Sequence, residues 1–284
     1  MRGRTVLVTG ATSGIGVETA LGLARAGARV GIVGRDAGRT RATAERIRAA
    51  VPGAEVDRFV ADLASQAEIR RLAADIRARY SRLDVLVNNA GAIFDRHALT
   101  PDGIERTWAL DHLAYVQLSL ELLNLLKASA PARIVNVASE AHRRGRIAFD
   151  DLGHAGNFGA MAVYSQAKLG NVLFSAALAR RLAGTGVTCN ALHPGVIASG
   201  FAADTGGWFG VAWRLVRPFM KSPEDGAATS IHLASAKAVG DVTGAYFKNR
   251  RPATPSARAR DTALQERVWT VSLKQLGRPD RSLA

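Results

Sequence analysis

Tyr164 and Lys168 are four positions apart, a spacing that suits proton transfer. In a helix, residues at this spacing lie on one face, so the phenol and the ammonium would be neighbours. A phenol has a pKa of about 10 in isolation, and a nearby positive charge favours the phenolate. Tyr164 is therefore a candidate to exchange a proton with a substrate hydroxyl, and Ser139, just past a predicted strand, could hydrogen-bond the substrate oxygen. The same spacing is also common in surface helix packing, which leaves a structural role open.

The segment from Thr9 to Gly16 has the pattern of a phosphate-binding turn between a strand and a helix. Gly10 allows a tight turn, Gly14 lets the backbone approach a pyrophosphate, and Gly16 lets the helix pack closely on the strand. The free N–H groups at the start of that helix, with its positive dipole end, favour phosphate. The candidate contacts to a dinucleotide are Gly10, Thr12, Ser13, Gly14, Ile15 and Gly16.

The end of the second predicted strand bears on the choice of dinucleotide. An acidic residue at the strand end would bind the ribose of NAD, whereas a nearby arginine accommodates the 2′-phosphate of NADP. The strand-end residue here is Gly34, and Arg35 follows it. This favours NADP(H), because a guanidinium matches phosphate geometry. Asp36 keeps NAD(H) possible, although it is also a candidate helix N-cap.

Strand-like and helix-like segments alternate along the chain. Seven strands are predicted, at 5–8, 29–33, 55–60, 85–87, 134–137, 187–192 and 245–247. Helices are predicted at 15–26, 37–50, 66–80, about 103–128, 160–183 and 261–276. Alternation of this kind predicts parallel pairing through right-handed crossovers. The fold class is therefore α/β, a single domain with a doubly wound, Rossmann-type parallel sheet and helices on both faces.

Composition excludes several other classes of protein. The chain has 284 residues, of which 48% are hydrophobic and 22% charged, as in ordinary globular proteins. The single Cys189 excludes a disulfide framework and a cysteine-built zinc site, and no metal-ligand spacing is visible. The net charge of +14 comes from arginines scattered at helical spacing, which favours a solvated surface over nucleic-acid binding. No apolar run reaches the ~18 residues of a membrane span, and no signal peptide is recognisable, so we expect a cytoplasmic location.

The spacing Gly-x-x-x-Gly-x-Gly after Thr9 resembles the short-chain dehydrogenase/reductase family. Further matches follow in order over roughly residues 5–247, namely Asp62-Leu63, Asn88-Asn89-Ala90-Gly91, Ser139, Tyr164 to Lys168, and Pro194-Gly195 with Ser199. Other positions resemble the retinol-dehydrogenase-like and WW-domain-oxidoreductase-like branch, namely Arg35, His112-Leu113, Ala141-His142 and 268–272.

The resemblance implies an alcohol–carbonyl oxidoreductase in which Ser139, Tyr164 and Lys168 are catalytic. Lys168 would lower the pKa of Tyr164 and bind the nicotinamide ribose. Further cofactor contacts implied by the family are Asp62, Leu63, Asn89, Ala90, Gly91, Tyr164, Lys168, Pro194, Gly195, Val196 and Ser199.

One position departs from the family pattern. Asp111 stands where the family usually has an asparagine that helps to hold a water beside the lysine. It is either a tolerated isostere or a carboxylate that alters the proton relay and the pKa of Tyr164. We therefore include Asp111 among the catalytic candidates, whereas His112 and His142 are better explained by packing or solvent exposure.

The remaining expectations concern the substrate and the organisation of the chain. Residues 1–249 are expected to form the catalytic domain, with an aromatic-rich substrate lid at about 197–222, and 250–284 a C-terminal extension with one helix. The lid predicts an apolar, fairly bulky alcohol or carbonyl substrate; a core-docking face or a membrane-surface helix are alternatives. Apolar residues on several faces of the helix around 110–126 suggest a homo-oligomer. A non-catalytic NADP(H)-binding regulator is the alternative to an enzyme, and the substrate itself is not determined.

Overall fold

The computed structural model describes residues 1–195 and 222–279. The strands are β1 (Thr5–Thr9), β2 (Arg29–Gly34), β3 (Val56–Val60), β4 (Val85–Asn88), β5 (Ala132–Val137), β6 (Val187–His193), β7 (Tyr246–Lys248) and β8 (Arg251–Pro252). The helices of the described ranges are α1 (Gly14–Arg25), α2 (Ala37–Ala50), α3 (Gln66–Arg79), α4 (Arg106–Trp108), α5 (Ala114–Glu121), α6 (Leu123–Ala128), α7 (Ala160–Arg181), α8 (Pro223–Ser235), α9 (Ala257–Arg260) and α10 (Thr262–Gln275).

The strands form one sheet in the order β3-β2-β1-β4-β5-β6-β7-β8. All neighbours from β3 to β7 pair in parallel, and β8 is antiparallel to β7. The strand order reverses between β1 and β4, which opens a crevice at their carboxyl ends, the usual ligand site of such sheets. The predicted fold class is confirmed.

Each face of the sheet is covered by helices. Strand side chains such as Val8 and Val87 pack against α1, α2 and α8 on one face. On the other face, Leu86 and Ile134 pack against α3, α5, α7 and α10. The strands are apolar on both sides because both faces are buried.

The predicted helix over about 103–128 is wrong in its start and in its continuity. Helix α4 begins at Arg106, because the Glu105 carboxylate accepts hydrogen bonds from the backbone N–H groups of Thr107 and Trp108. A π turn follows at Ala109–Leu113, and helix α5 ends before Leu122. A single π turn of this kind inserts a local widening into a helix and is frequent at functional sites. Here it carries Asp111.

The C-terminal segment is more ordered than the predicted loop at 250–260. Strands β7 and β8 form a hairpin whose two turn residues, Asn249 and Arg250, both have positive φ, as a type I′ turn requires. The sequence lacks the Asn-Gly or Asp-Gly signal of such turns, so the hairpin was not predicted. The helix predicted at 261–276 is confirmed as α10, and its Trp269 is 1% exposed in the core beside Phe174.

Candidate active site

The turn after β1 leaves the start of α1 open. Gly10 and Gly14 have φ of +62° and +53°, the left-handed region that favours glycine. A Cβ on Gly16 would lie 2.2 Å from the Gly10 carbonyl oxygen, so only glycine lets the helix approach the turn. Ser13 is the N-cap of α1 but makes no side-chain capping bond, and the first turn has no acidic residue. The N–H groups there are therefore available to an anion, as a bound pyrophosphate requires.

The ends of β1 and β4 are joined by side-chain hydrogen bonds. The Thr9 hydroxyl accepts from the N–H groups of Asn89 and Ala90 at 2.9 and 3.1 Å. The Asn89 amide donates to the Thr9 carbonyl at 2.9 Å and to the Gly10 carbonyl at 3.3 Å. Asn89 thus holds the glycine turn itself, a role that the sequence did not indicate.

The end of β2 has no space for an acidic side chain. A Cβ on Gly34 would lie 2.3 Å from the Thr40 hydroxyl and 2.4 Å from the Thr12 methyl. Arg35 follows as an exposed side chain without an ion pair among the described residues. The Asp36 carboxylate accepts from the Arg39 N–H at 2.7 Å and caps α2, as the sequence suggested for it.

Ser139 and Tyr164 meet at the carboxyl edge of β5. Ser139 is the N-cap of a 3-10 turn over Glu140–Arg143, and its hydroxyl accepts from the Ala141 N–H at 3.2 Å. Tyr164 lies near the start of α7 and is 8% exposed. Burial raises the pKa of Tyr164 well above its usual value, and the Asp111 charge raises it further, whereas a hydrogen bond with Ser139 lowers it. The phenol is therefore protonated at neutral pH.

Lys168 lies one turn further along α7, on the same side as Tyr164. Its Nζ is 5.5 Å from the centre of the Tyr164 ring and 3.4 Å from the Val137 carbonyl oxygen. Its closest charged neighbour is Asp111, with Oδ2 at 3.1 Å, and the side chains of the pair are 4% and 0% exposed. The contact is an ion pair rather than a well-aligned hydrogen bond.

Asp111 links this lysine to the loop after β4. Its Oδ1 accepts from the Ala92 N–H at 2.9 Å. A Cβ on Gly91 would lie 2.8 Å from Asp111 Oδ2, so a glycine is required beside the pair. Burial has the largest effect on the pKa of Asp111 and raises it, although the Lys168 ammonium and the Ala92 N–H lower it in part. The distance of 3.1 Å places the carboxyl group of Asp111 beside the lysine, as one of the two interpretations of this position supposed.

Two further side chains of this site were missed. Asn171 donates from its amide to the Asp111 carbonyl at 2.8 Å and holds the π turn. Tyr115 lies behind Lys168, with its ring centre 5.2 Å from Nζ, and its hydroxyl donates to the Ala90 carbonyl at 2.8 Å. Their spacing was the available signal, because Tyr115 is four residues after Asp111 and Asn171 three after Lys168.

The sequence model of the short chain dehydrogenase family matches residues 4–208. The chain belongs to this family.

Retinol dehydrogenases are among the relatives of this chain. The chain is 41% identical to mouse retinol dehydrogenase 12 over 275 residues, which covers 97% of this chain and 87% of the relative. It is 41% identical to human retinol dehydrogenase 13 over 285 residues, covering 97% and 85%. The retinol-dehydrogenase-like resemblance is thus confirmed.

Solved structures of related proteins share the fold. An uncharacterised protein from Mycobacterium paratuberculosis superposes with a TM-score of 0.79 at 31% identity, covering 98% of this chain and 94% of that one. The RhlG/NADP active-site complex from Pseudomonas aeruginosa has a TM-score of 0.70 at 30% identity, covering 93% and 97%.

The other candidate residues of this short-chain dehydrogenase lie around the same crevice or outside the described ranges. Asp62 is exposed after β3, and the Leu63 side chain packs in the core, so only the backbone of Leu63 could make the predicted cofactor contact. Pro194 and Gly195 follow β6 and are half-buried. Val196, Ser199 and the predicted lid up to residue 221 lie outside the described residues.

Neither a membrane span nor a metal site is found in the described part of the dehydrogenase. No helix of residues 1–195 and 222–279 is both long and apolar enough to cross a bilayer. Within the same ranges, no three His, Cys, Asp or Glu side chains are grouped to hold a metal ion.

His112, near the site, is a buried structural group. His112 contacts the Asn171 amide oxygen through Nδ1 at 3.1 Å and the Ser272 hydroxyl through Nε2 at 2.9 Å. Because the Asn171 oxygen is an acceptor, Nδ1 carries the proton. Burial lowers the pKa of His112 from 6.5 to about 4. The expectation of a packing role is met for this residue.

We expect His112 to make the protein acid-sensitive. Its unfolded-state pKa exceeds its folded-state pKa, so the unfolded chain binds the proton first. The free energy of unfolding should keep its full value above about pH 6.5. It should fall by up to about 3 kcal/mol as the pH approaches 4. Urea unfolding of the parent and His112→Gln across this range measures the difference. The control is His97→Gln, which replaces an exposed histidine. An equal decrease in the free energy of unfolding at low pH in the parent and in His112→Gln would contradict the assignment.

Proposed function

We propose that this protein is an NADP(H)-dependent oxidoreductase that interconverts an alcohol and a carbonyl on an apolar, fairly bulky small molecule. The observation that carries the proposal is the grouping of Ser139 beside Tyr164, with Lys168 Nζ 5.5 Å from the centre of the Tyr164 ring, next to an uncapped helix start at the sheet crevice. A non-catalytic binding protein would need none of these three side chains in this arrangement.

The proposed chemistry divides the work among the three residues. When bound, the nicotinamide supplies or accepts the hydride. Ser139 holds the substrate oxygen, and Tyr164 donates a proton to it in carbonyl reduction or removes one in alcohol oxidation. The protonated phenol suits reduction directly. Oxidation requires a phenolate, which the Lys168 ammonium and the positive charge of an oxidised nicotinamide would favour.

The preference for NADP(H) rests on the residues after β2. The space that an acidic ribose-binding side chain would need at position 34 is filled by Thr12 and Thr40. Asp36 already caps α2, while Arg35 is exposed and unpaired within the described ranges. Two related solved structures are described as NADP complexes, those of Pseudomonas aeruginosa RhlG and of a protein from Beutenbergia cavernae. These observations support Arg35 as the 2′-phosphate ligand.

Arg35→Ala should weaken NADPH binding by about ten- to a hundredfold and leave NADH binding nearly unchanged. A charge-assisted hydrogen bond to the 2′-phosphate is worth about 1.5–3 kcal/mol, and NADH lacks that phosphate. Fluorescence titration with each cofactor gives the two dissociation constants. Arg41→Ala removes the same charge from an exposed position of α2 and serves as the control. Equal weakening of both cofactors by Arg35→Ala would refute the assignment.

The substrate class is proposed from the aromatic-rich sequence at 197–222 and from the names of the relatives. Four related human enzymes are named retinol dehydrogenases 11 to 14. All-trans-retinal and all-trans-retinol belong in a panel with smaller aldehydes, ketones, quinones and alcohols, each with NADP(H) and NAD(H). Turnover confined to small polar compounds would contradict a bulky apolar substrate. Tight NADPH binding without turnover across the panel would favour the regulatory alternative.

A further inference from the structure

The turn that follows Ser139 is hydrogen-bonded to residues of the C-terminal segment. The Tyr246 hydroxyl of β7 donates to the Glu140 carboxylate at 2.9 Å. Arg143 donates from Nη2 to the Thr254 carbonyl oxygen at 2.7 Å. Burial alone would raise the pKa of Glu140, but its hydrogen bonds from Tyr246 and Arg143 outweigh burial and bring it to about 2. The carboxylate is therefore charged, and its contacts persist, throughout the neutral range.

His142 makes the most direct of these connections. Its Nδ1 lies 2.7 Å from the Ser139 carbonyl oxygen, and its Nε2 lies 3.1 Å from the backbone nitrogen of Ser256. The ring is 0% exposed and packs 4.9 Å from the Tyr246 ring centre.

These two partners determine the tautomer of the His142 ring. The Ser256 N–H can only donate, so Nε2 is an acceptor, and the Ser139 carbonyl can only accept, so Nδ1 carries the proton. His142 is therefore a neutral imidazole that bridges two backbone groups 117 positions apart, at 139 and 256. A protonated ring would set an N–H against the Ser256 N–H, and a rotated ring would lose both bonds.

The Ser139 carbonyl accepts twice from the same residue. It receives the ring Nδ1–H and also the backbone N–H of His142, at 3.1 Å. Two donors to one carbonyl determine the direction of its peptide plane, and that plane positions the Ser139 side chain. The Ser139 hydroxyl in turn accepts from the Ala141 N–H at 3.2 Å and lies close enough to Tyr164 to lower the pKa of its phenol.

We propose that the C-terminal segment around Ser256 positions Ser139 for catalysis through the buried ring of His142. This inference rests on the proposed function, in which Ser139 holds the substrate oxygen. His142 and Ser256 are positioning residues, because neither is required to touch substrate or cofactor. The segment after β7 then contributes to turnover as well as to folding.

Replacing Ser256 by proline removes the backbone N–H that this proposal requires. Ser256 has φ of −60°, which a proline ring accepts. Ser256→Ala is the matched control, because it keeps the N–H and removes the hydroxyl that caps α9 through the Ala259 N–H. Ser256→Pro loses both, so the difference between the two variants reports the bond to His142.

The measurement is kcat, KM and NADPH dissociation constant, with the carbonyl that the parent reduces fastest in the substrate panel. We expect Ser256→Pro to lower kcat by about tenfold or more relative to Ser256→Ala, since misplacement of a reacting group by about 1 Å costs up to about a hundredfold. The dissociation constant of NADPH should be unchanged, because the glycine turn lies on other strands. Equal kcat in Ser256→Pro and Ser256→Ala would overturn the proposal, whatever the kcat of the parent.

A double-mutant cycle separates positioning from a general loss of structure. In a Ser139→Ala background, Ser256→Pro should lower kcat no further, because the residue that it positions is already absent. Additive losses would show that Ser256 acts on something other than Ser139. Should thermal melting show that Ser256→Pro is unfolded, His142→Phe replaces it, since phenylalanine keeps a packed ring and loses both hydrogen bonds. A Ser139→Ala variant as active as the parent would instead refute the proposed function.

Discussion

Tyr164→Phe should lose turnover by about a hundredfold or more while binding NADPH as the parent does. The substitution removes only the phenolic oxygen, which is the proton donor and acceptor of the proposed reaction. Packing should be preserved, because the ring of Tyr164 is buried and phenylalanine occupies the same space. Steady-state kcat with an accepted substrate, together with the NADPH dissociation constant, tests both parts.

A second tyrosine provides the control for this experiment. Tyr80 follows α3, and its hydroxyl donates to Asp57 at 3.0 Å, at the opposite end of β3 from the crevice. Tyr80→Phe also removes one buried phenolic oxygen and should leave kcat unchanged. A Tyr164→Phe variant with kcat near that of Tyr80→Phe would show that another group transfers the proton.

Removing the Asp111 carboxylate should destabilise the protein strongly if nothing replaces it. In Asp111→Ala the Lys168 ammonium would remain buried without its partner, and the Ala92 N–H would lose its acceptor. Breaking a buried ion pair in this way costs about 3–5 kcal/mol. Denaturant unfolding near neutral pH measures the change. The double variant Asp111→Ala with Lys168→Met should recover part of the loss, because it leaves no unpaired buried charge.

Asp111→Asn tests the effect of the charge on the reaction. Asparagine keeps the shape and can still accept from Ala92, but it removes the negative field that raises the pKa of Tyr164. Alcohol oxidation needs the phenolate, so the rise of kcat/KM with pH should move to lower pH in the variant. The profile is measured for parent and variant on one alcohol with saturating NADP.

The direction of any movement decides between the two interpretations of Asp111. A profile that stays in place with an unchanged rate would make the aspartate a neutral substitute for the family's asparagine. A movement to higher pH would mean that loss of the carboxylate disturbs Lys168 more than it relieves Tyr164. Only a movement to lower pH supports a carboxylate that raises the pKa of Tyr164 and so limits its action as a base.

Local pattern was sufficient for the elements and for most candidate residues. The glycine turn, the i, i+4 pair on α7 and the run Ala37–Ala50 were predictable because each depends on neighbours in the chain. The same holds for the choice of Asp36 as a helix cap. The sequence predicted that the strands pair in parallel, because strands and helices alternate along the chain. It did not predict which strands are neighbours in the sheet.

Tertiary structure decided which of these residues act on each other. The π turn at Ala109–Leu113 directs Asp111 onto Lys168 across 57 positions of sequence, and no spacing rule reports such a contact. The hairpin after β7 brings Ser256 to His142, and α10 brings Ser272 to His112, because the strand order places the C-terminal segment beside α7. From its sequence alone, this protein was determined as an α/β dehydrogenase with a named set of reactive side chains. The protonation states of these side chains and the contacts between them depend on burial and on long-range hydrogen bonds, which exist only once the chain is folded.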